Sequence, residues 1–212
     1  MAKIMLAFDT SASAISVALQ KNDEVRILHQ FAPMQQAKLI LPMIQQLLAD
    51  FSLTFTDLDA IAYGCGPGSF TGTRIASSVA QGLAFAADKP VIPVSSLAIL
   101  AQTVYRKYQC RTIVIVVDAR MEQVYFARYE VNQEGIACLV GEEQLCSPSD
   151  IHLPAGDDWC GAGDGWNRLS DIKANIYADE LPSADALLQL AMLKFAQNEG
   201  VNAAQAVPTY LR

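Results

Sequence analysis

Between residues 64 and 75 the chain reads GCGPGSFTGTRI, the densest group of residues suited to holding an anion or turning a nucleophile. Gly64, Gly66, Gly68 and Gly72 surround Pro67, and Ser69, Thr71, Thr73 and Arg74 supply hydroxyls and a cation. An apolar run, Leu58 to Tyr63, precedes the stretch and a helix-like run, Ile75 to Ala86, follows it. Strand, glycine loop and helix is a common way to hold phosphate. A Walker loop needs four residues between its glycines and then Lys-Ser/Thr. Here Gly66 and Gly72 enclose five residues, and Thr73-Arg74 follow. The dinucleotide pattern G-x-G-x-x-G finds Gly64 and Gly66 but meets Ser69 at its third glycine. The hydrolase elbow G-x-S-x-G needs glycines two residues either side of its serine, where Ser69 has Pro67 and Thr71. Two readings remain. Gly66-Pro67-Gly68 turns a strand into a helix that Ser69 or Thr71 caps, or the helix N-terminus itself touches an anion.

A second chemical candidate is Asp9-Thr10-Ser11, where an apolar run ends at an Asp before a turn. Asp118-Ala119-Arg120 repeats that arrangement in the second half. An Asp in such a turn helps hold Mg²⁺ and phosphate in nucleotide clefts, which makes Asp9, Thr10 and Ser11 phosphate candidates. The turn continues Ser11-Ala12-Ser13 without a glycine, which counts against close approach of backbone N–H groups to phosphate. His29 and His152 are solitary, and Cys65, Cys110, Cys138, Cys146 and Cys160 are scattered with no C-x-x-C pair. The expectation is therefore no metal site, no cofactor, no catalytic residue and reduced thiols.

These groups need elements to position them. Lys3–Phe8, Ile15–Leu19 and Val25–Phe31 read as strands joined by short turns, hence antiparallel hairpins. Leu39, Ile40, Met43, Ile44, Leu47, Leu48 and Phe51 recur at helical spacing, with Pro42 expected to bend that helix or mark its first turn. A strand near 59–63, the glycine loop, a helix over 71–86, a strand over 90–94 and a helix over 95–107 follow, the last capped by Ser95 or Ser96. In the first of these two helices Gly72, Ala76, Ala80 and Ala84 form a small-residue stripe beside Ile75, Val79 and Leu83. Spacing alone leaves open whether that stripe meets its own core or another chain.

The second half opens like the first. Setting Asp118 over Asp9 places Val124 over Ile15, Phe126 over Val17 and Ala127 over Ala18, an offset of 109 residues. Residues 147–182 read as irregular and 183–197 as an amphipathic helix. The expected architecture is α/β with two lobes, each a hairpin plus helices. It is the duplicated, ribonuclease H-like plan of actin, Hsp70 and sugar kinases, with lobes at 1–108 and 109–212 and the last residues returning to the first lobe.

With 52% hydrophobic residues the chain can build a core, which excludes disorder. Its net charge of −7 makes it a poor lone binder of nucleic acid, so any RNA is expected to reach it through a more basic partner. The opening MAKIMLAFDT is too short an apolar run for a signal peptide or membrane span, so a cytoplasmic protein is expected.

The stretches MLAFDTSASAISVAL, ILPMIQQLL, AYGCGPGSFTGTRIASSVAQGLA, IPVSSLAILAQ, VVDARMEQVYFARY and VPTYLR together resemble the TsaB family, also called YeaZ, in order along nearly the whole chain. The resemblance implies an actin-like (ASKHA) fold and a noncatalytic subunit that pairs with TsaD. TsaD transfers a threonylcarbamoyl group to the adenosine beside the anticodon of ANN-decoding tRNAs. It also implies a third partner, the ATPase TsaE, and a separate synthase that makes threonylcarbamoyl-adenylate. The TsaD relative carries a His-x-x-x-His metal motif on the helix matching residues 35–43, where this chain has Gln35-Gln36-Ala37-Lys38-Leu39-Ile40.

Family pairing runs through first-lobe helices, which makes Leu39, Met43, Leu47, Gly72, Ile75, Ala76, Val79, Ala80 and Leu83 the expected partner interface, used with TsaD or in a homodimer. Gly64, Gly66, Pro67, Gly68 and Ser69 become a structural loop that aims the second helix. The competing class is a self-sufficient enzyme on the same fold, an ATP-dependent kinase or a glycoprotease-like peptidase.

Overall fold

The computed structural model describes residues 4–170 and 173–211. Lys3, expected to start the first strand, and Arg212 lie outside them. The chain divides into two compact units, Met1–Ile99 with Pro182–Thr209, and Leu100–Leu181 with Tyr210–Arg212. The division expected at residue 108 differs from these units: one boundary falls inside a helix, and 182–209 belong with the first unit.

In the first unit β1 (Ile4–Asp9), β2 (Ala14–Lys21) and β3 (Glu24–Phe31) form an antiparallel meander. After helix α1 (Gln36–Asp50), β4 (Ala60–Gly64) pairs parallel to β1. After helix α2 (Phe70–Ala87), β5 (Val91–Val94) pairs parallel to β4. The sheet order is β3-β2-β1-β4-β5. Leu6, Phe8, Val17, Ile61 and Tyr63 join Ile40, Ile44 and Leu47 of α1 and Ala76, Ala80 and Ala84 of α2 in one core. Helix α4 (Ala184–Ala196) also packs on this sheet, and its Ala184 N–H donates to the Ser16 hydroxyl at 2.8 Å. Covered strands are buried along their length, so β1 and β4 read as unbroken apolar runs. Pro42 lies in the interior of α1 rather than its first turn.

Helix α3 (Ser96–Tyr108) starts with the Ser95 hydroxyl accepting from the Leu97 and Ala98 N–H groups. In the second unit β6 (Thr112–Arg120), β7 (Gln123–Val131) and β8 (Ala137–Cys146) form a second antiparallel meander. Short parallel strands β9 (Cys160–Ala162) and β10 (Asn175–Tyr177) complete the order β10-β9-β6-β7-β8. Three antiparallel strands followed by two parallel ones is the plan of the first sheet again, so the halves share one ribonuclease H-like topology. The fold class is the two-lobed α/β architecture expected. Strands β8, β9 and β10 were not expected, and β9 and β10 break the stretch read as irregular.

The pairing corrects the internal alignment. Asp9 faces Ser16, whereas Asp118 faces Val124. Val124 therefore occupies the place of Ser16 rather than Ile15, because the second hairpin is one residue shorter. That hairpin turns through Arg120, Met121 and Glu122, all at positive φ. Among the described residues no helix is long and apolar enough to cross a membrane.

Candidate functional site

Asp9 ends β1 and is 1% exposed. Its Oδ1 accepts from the Ser11 N–H at 2.9 Å and the Ser11 hydroxyl at 2.8 Å, and its Oδ2 from the Ser96 hydroxyl at 3.1 Å. The Ser96 oxygen in turn accepts from the Gly66 N–H at 3.1 Å. Burial pushes the Asp9 carboxyl above its ordinary value, against the opposing pull of these hydrogen bonds from Ser11 and Ser96. The carboxylate thus ties the β1–β2 turn to the start of α3 and to the glycine loop.

The loop closes over the turn from the other side. A Cβ on Gly64 would stand 1.7 Å from Asp9 Oδ2, one on Gly68 2.7 Å from the Ser11 carbonyl oxygen, and one on Gly72 1.9 Å from the Thr10 carbonyl oxygen. Ser69 N–H donates to that Ser11 carbonyl at 2.7 Å, and the Thr10 hydroxyl donates to the Gly72 carbonyl at 2.7 Å. Gly66 sits at φ +94°, before Pro67 in a cis peptide. The Ser69 hydroxyl caps α2 by accepting from Gly72 N–H at 3.3 Å. The glycines serve close approach: their missing side chains leave the space that the Asp9 turn fills. Thr10 and Ser11 are 0% and 5% exposed. The glycine loop fills the space beside the turn expected from sequence to hold phosphate, and the Ser11 N–H and the Thr10 and Ser11 hydroxyls are engaged within the chain.

The C-terminal segment braces the same loop. Thr209 N–H donates to the Cys65 carbonyl at 2.7 Å, and the Tyr63 hydroxyl donates to the Val207 carbonyl at 3.0 Å. The sequence of 206–209 does not name Tyr63 or Cys65 as its partners, because the pairings span 144 residues.

The small-residue stripe turns inward. Gly72, Ala76, Ala80 and Ala84 are buried in their own unit's core, as are Met43 and Leu47. Met43, Leu47, Gly72, Ala76 and Ala80, five of the nine residues expected at a partner surface, therefore lie in the core of this chain. The reason is steric: small side chains let α2 lie on the sheet, down to the backbone contact of Gly72 with Thr10. Leu39, Ile75, Val79 and Leu83 are half-buried on the flank of that core.

Beside them an open hollow of about 400 Å³ lies between α1 and α2. Ala37, Ile40, Leu41, Phe70, Thr71, Arg74, Ile75, Ser78 and Val79 line it. Leu41 and Phe70 are exposed, and the Arg74 guanidinium lies 3.5 Å from the Phe70 ring centroid. The hollow lies between the two helices expected from sequence to face a partner, and Leu41 and Phe70, which line it, were not among the residues expected there. A larger hollow, about 470 Å³ around Lys21–Arg26 and Asp50–Ser52, is polar. There Arg26 already bonds Glu24 and the Asp50 carbonyl.

Asp118, the counterpart of Asp9, sits differently. Its carboxylate accepts from Arg120 N–H at 3.0 Å and pairs with Arg168 at 3.0 Å. His29 and His152 are both exposed. Among the described residues no three His, Cys, Asp or Glu side chains cluster to hold a metal.

Comparison with known proteins meets this geometry. The family model described as TsaD, tRNA N6-adenosine threonylcarbamoyltransferase, matches residues 28–160. The tRNA threonylcarbamoyladenosine biosynthesis protein TsaB of Haemophilus influenzae is 39% identical, over 98% of this chain and 93% of its own length. The Escherichia coli protein of the same name is 36% identical, over 98% and 94%. The solved structure of YeaZ from Pseudomonas aeruginosa superposes with a TM-score of 0.93 at 42% identity, covering 99% of this chain and all of that one. With its two ribonuclease H-like sheets and near full-length identity to these relatives, the chain belongs to the TsaB/YeaZ family, within the ASKHA fold.

Proposed function

We propose that this protein takes part in the biosynthesis of threonylcarbamoyladenosine in tRNA as a noncatalytic subunit. It docks TsaD, and TsaE joins the assembly. TsaD carries out the transfer of the threonylcarbamoyl group to the adenosine beside the anticodon of ANN-decoding tRNAs. The tRNA is held by the assembly, since this chain is acidic. The site of action is the cytoplasm, and no cofactor is required by this subunit.

The observation that carries this reading is the closure of the Asp9 turn. A working nucleotide cleft on this fold needs that turn open, with free backbone donors. Here Gly68 and Gly72 bring the chain's own loop into the space, and both Asp9 oxygens are engaged. The same closure counts against a self-sufficient kinase. The match of 28–160 to a TsaD family model supports a shared fold between the partners. Two subunits of one fold can pair through equivalent helices, and a homodimer through the same face would then compete with the functional pair.

The docking face is the outer side of α1 and α2, with Leu39, Leu41, Phe70, Ile75, Val79 and Leu83. This places the contact beside the small-residue stripe rather than on it. Co-expression with TsaD and sedimentation of the mixture tests the reading. A 1:1 complex, lost in Leu41→Arg, supports it. A chain that stays apart from TsaD and binds ATP alone would remove it.

A further inference from the structure

Residues 201–209 run as a strap along the first unit. Val201 and Val91 of the edge strand β5 exchange two main-chain hydrogen bonds, both at 2.8 Å. A single 3₁₀ turn, Ala203–Gln205, follows and packs on α2. It is closed at its start by Asn202 and Gln205, whose side chains each accept from the other's backbone N–H. Ala206 is fully buried in the core that α2 shares.

Beyond Ala206 the hold changes. Val207 and Thr209 are exposed and Pro208 is half-buried, so hydrogen bonds rather than buried side chains seat this end. The Val207 carbonyl accepts from the Tyr63 hydroxyl, the Thr209 N–H donates to the Cys65 carbonyl, and the Thr209 hydroxyl donates to Cys65 Sγ at 3.4 Å. The seated end touches the glycine loop and α2 together. A Cβ on Gly66 would stand 3.1 Å from the Thr209 carbonyl oxygen and 3.0 Å from Thr73 Cγ2. Gly66 is therefore clamped between the strap and the first turn of α2. Phe70 and Arg74, which line the hollow beside α1, belong to that same start of α2. Under the strap the Cys65 side chain is covered, with the residue 8% exposed.

We propose that residues 207–209 are a latch that controls docking. Seated, they cover the Cys65 thiol and fix the start of α2 in the geometry that receives TsaD. Lifted, they leave Ala206 and the rest of the fold in place, open Cys65 to solvent and let Phe70 and Arg74 shift at the hollow. Hydrogen bonds held by exposed backbone exchange for water at small net cost, so this end opens locally without global unfolding. The inference rests on the α1–α2 docking reading and adds a control to it.

The test combines thiol labelling with binding on the full-length protein. N-ethylmaleimide modification is followed by peptide mapping, which reads each cysteine separately. Thr209→Pro removes the N–H that bonds Cys65, Tyr63→Phe removes the hydroxyl that bonds Val207, and Thr209→Ser keeps every bond. In Thr209→Pro and Tyr63→Phe, Cys65 should be modified at least about tenfold faster than in wild type, because a thiol reacts only where the reagent reaches it. Cys160, buried in the second unit, reports global opening and should keep its wild-type rate. Affinity for TsaD should fall at least about tenfold in both variants and stay at the wild-type value in Thr209→Ser. Cys65 protection unchanged in both variants overturns the latch. So does Cys160 accelerating in step with Cys65, or an exposed Cys65 with TsaD binding undiminished. Wild-type protein that does not bind TsaD at all overturns the docking reading itself, and the control with it.

Discussion

Thr10 and Gly72 meet backbone to backbone. The Thr10 hydroxyl donates to the Gly72 carbonyl at 2.7 Å, and the Thr10 carbonyl oxygen stands 1.9 Å from the place of a Gly72 Cβ. No rotamer change relieves such a contact, because both neighbours are main chain. Gly72→Ala must push α2 off the β1–β2 turn. The expected cost is about 1–3 kcal/mol of stability from overpacking, despite the better helix propensity of Ala. Urea denaturation of the variant against wild type measures it. An unchanged midpoint would mean that α2 does not sit on the turn. Gly82, with open space around it, is the control: Gly82→Ala should hold or raise stability.

The inward face of α2 and the outward face of α1 separate by substitution. Ala80 is fully buried, so Ala80→Arg should destabilise the isolated protein strongly, through overpacking and an unpaired buried charge. Leu41 on α1 is 44% exposed, so Leu41→Arg should melt within a few degrees of wild type. Thermal melting of the two variants side by side decides the matter. A normally melting Ala80→Arg protein would return the small-residue stripe to the surface.

The Asp9 carboxyl has its folded value raised by burial, more than its hydrogen bonds from Ser11 and Ser96 lower it. A raised folded value means that the folded protein holds the proton more tightly than the unfolded chain. The resulting stabilisation is full below the ordinary carboxylate value of about 4 and is lost as pH rises through the folded value. Asp9→Asn removes this dependence. The stability difference, wild type minus variant, should therefore fall as pH rises from about 4. Denaturation curves across that range test the sign. A difference that grows with pH would show that the hydrogen bonds, not burial, dominate at Asp9.

Much of the fold was legible because β1 and β4 are short unbroken apolar runs and α1 carries a helical period in its apolar residues. The pairing of Asp9 with Asp118 as two hairpin ends was legible for the same reason. The direction of the Gly72–Ala84 stripe was not. Period four says that these residues share a face, and it is silent on whether the covering backbone belongs to the same sheet or another chain. Cys160-Gly161-Ala162 is too short to show alternation, and Gly161 is there because the Trp166 ring lies 2.5 Å from the place of its Cβ. Helix α4 is apolar on most sides, so nothing in it names the sheet it covers; its return to β1 and β2 is fixed by contacts across the length of the chain. At the candidate site the glycines stood out at once. Their use, making room for Asp9 and Thr10, depends on parts of the chain some 60 residues apart meeting in space.

In the proposed role this chain acts by docking rather than by chemistry of its own. The most direct measurement is threonylcarbamoyladenosine formed on tRNA by TsaD, TsaE and the synthase, with this protein omitted, supplied as wild type, or supplied as Asp9→Asn or Leu41→Arg. Omission should abolish the product. Asp9→Asn should restore it to within about twofold of wild type, because that carboxylate only ties the turn in place. Leu41→Arg should fold normally and leave the rate at least about tenfold down, a loss that excess variant protein partly recovers. An Asp9→Asn protein that binds TsaD normally yet gives no product would contradict the account, and would place chemistry in the turn that the glycine loop closes.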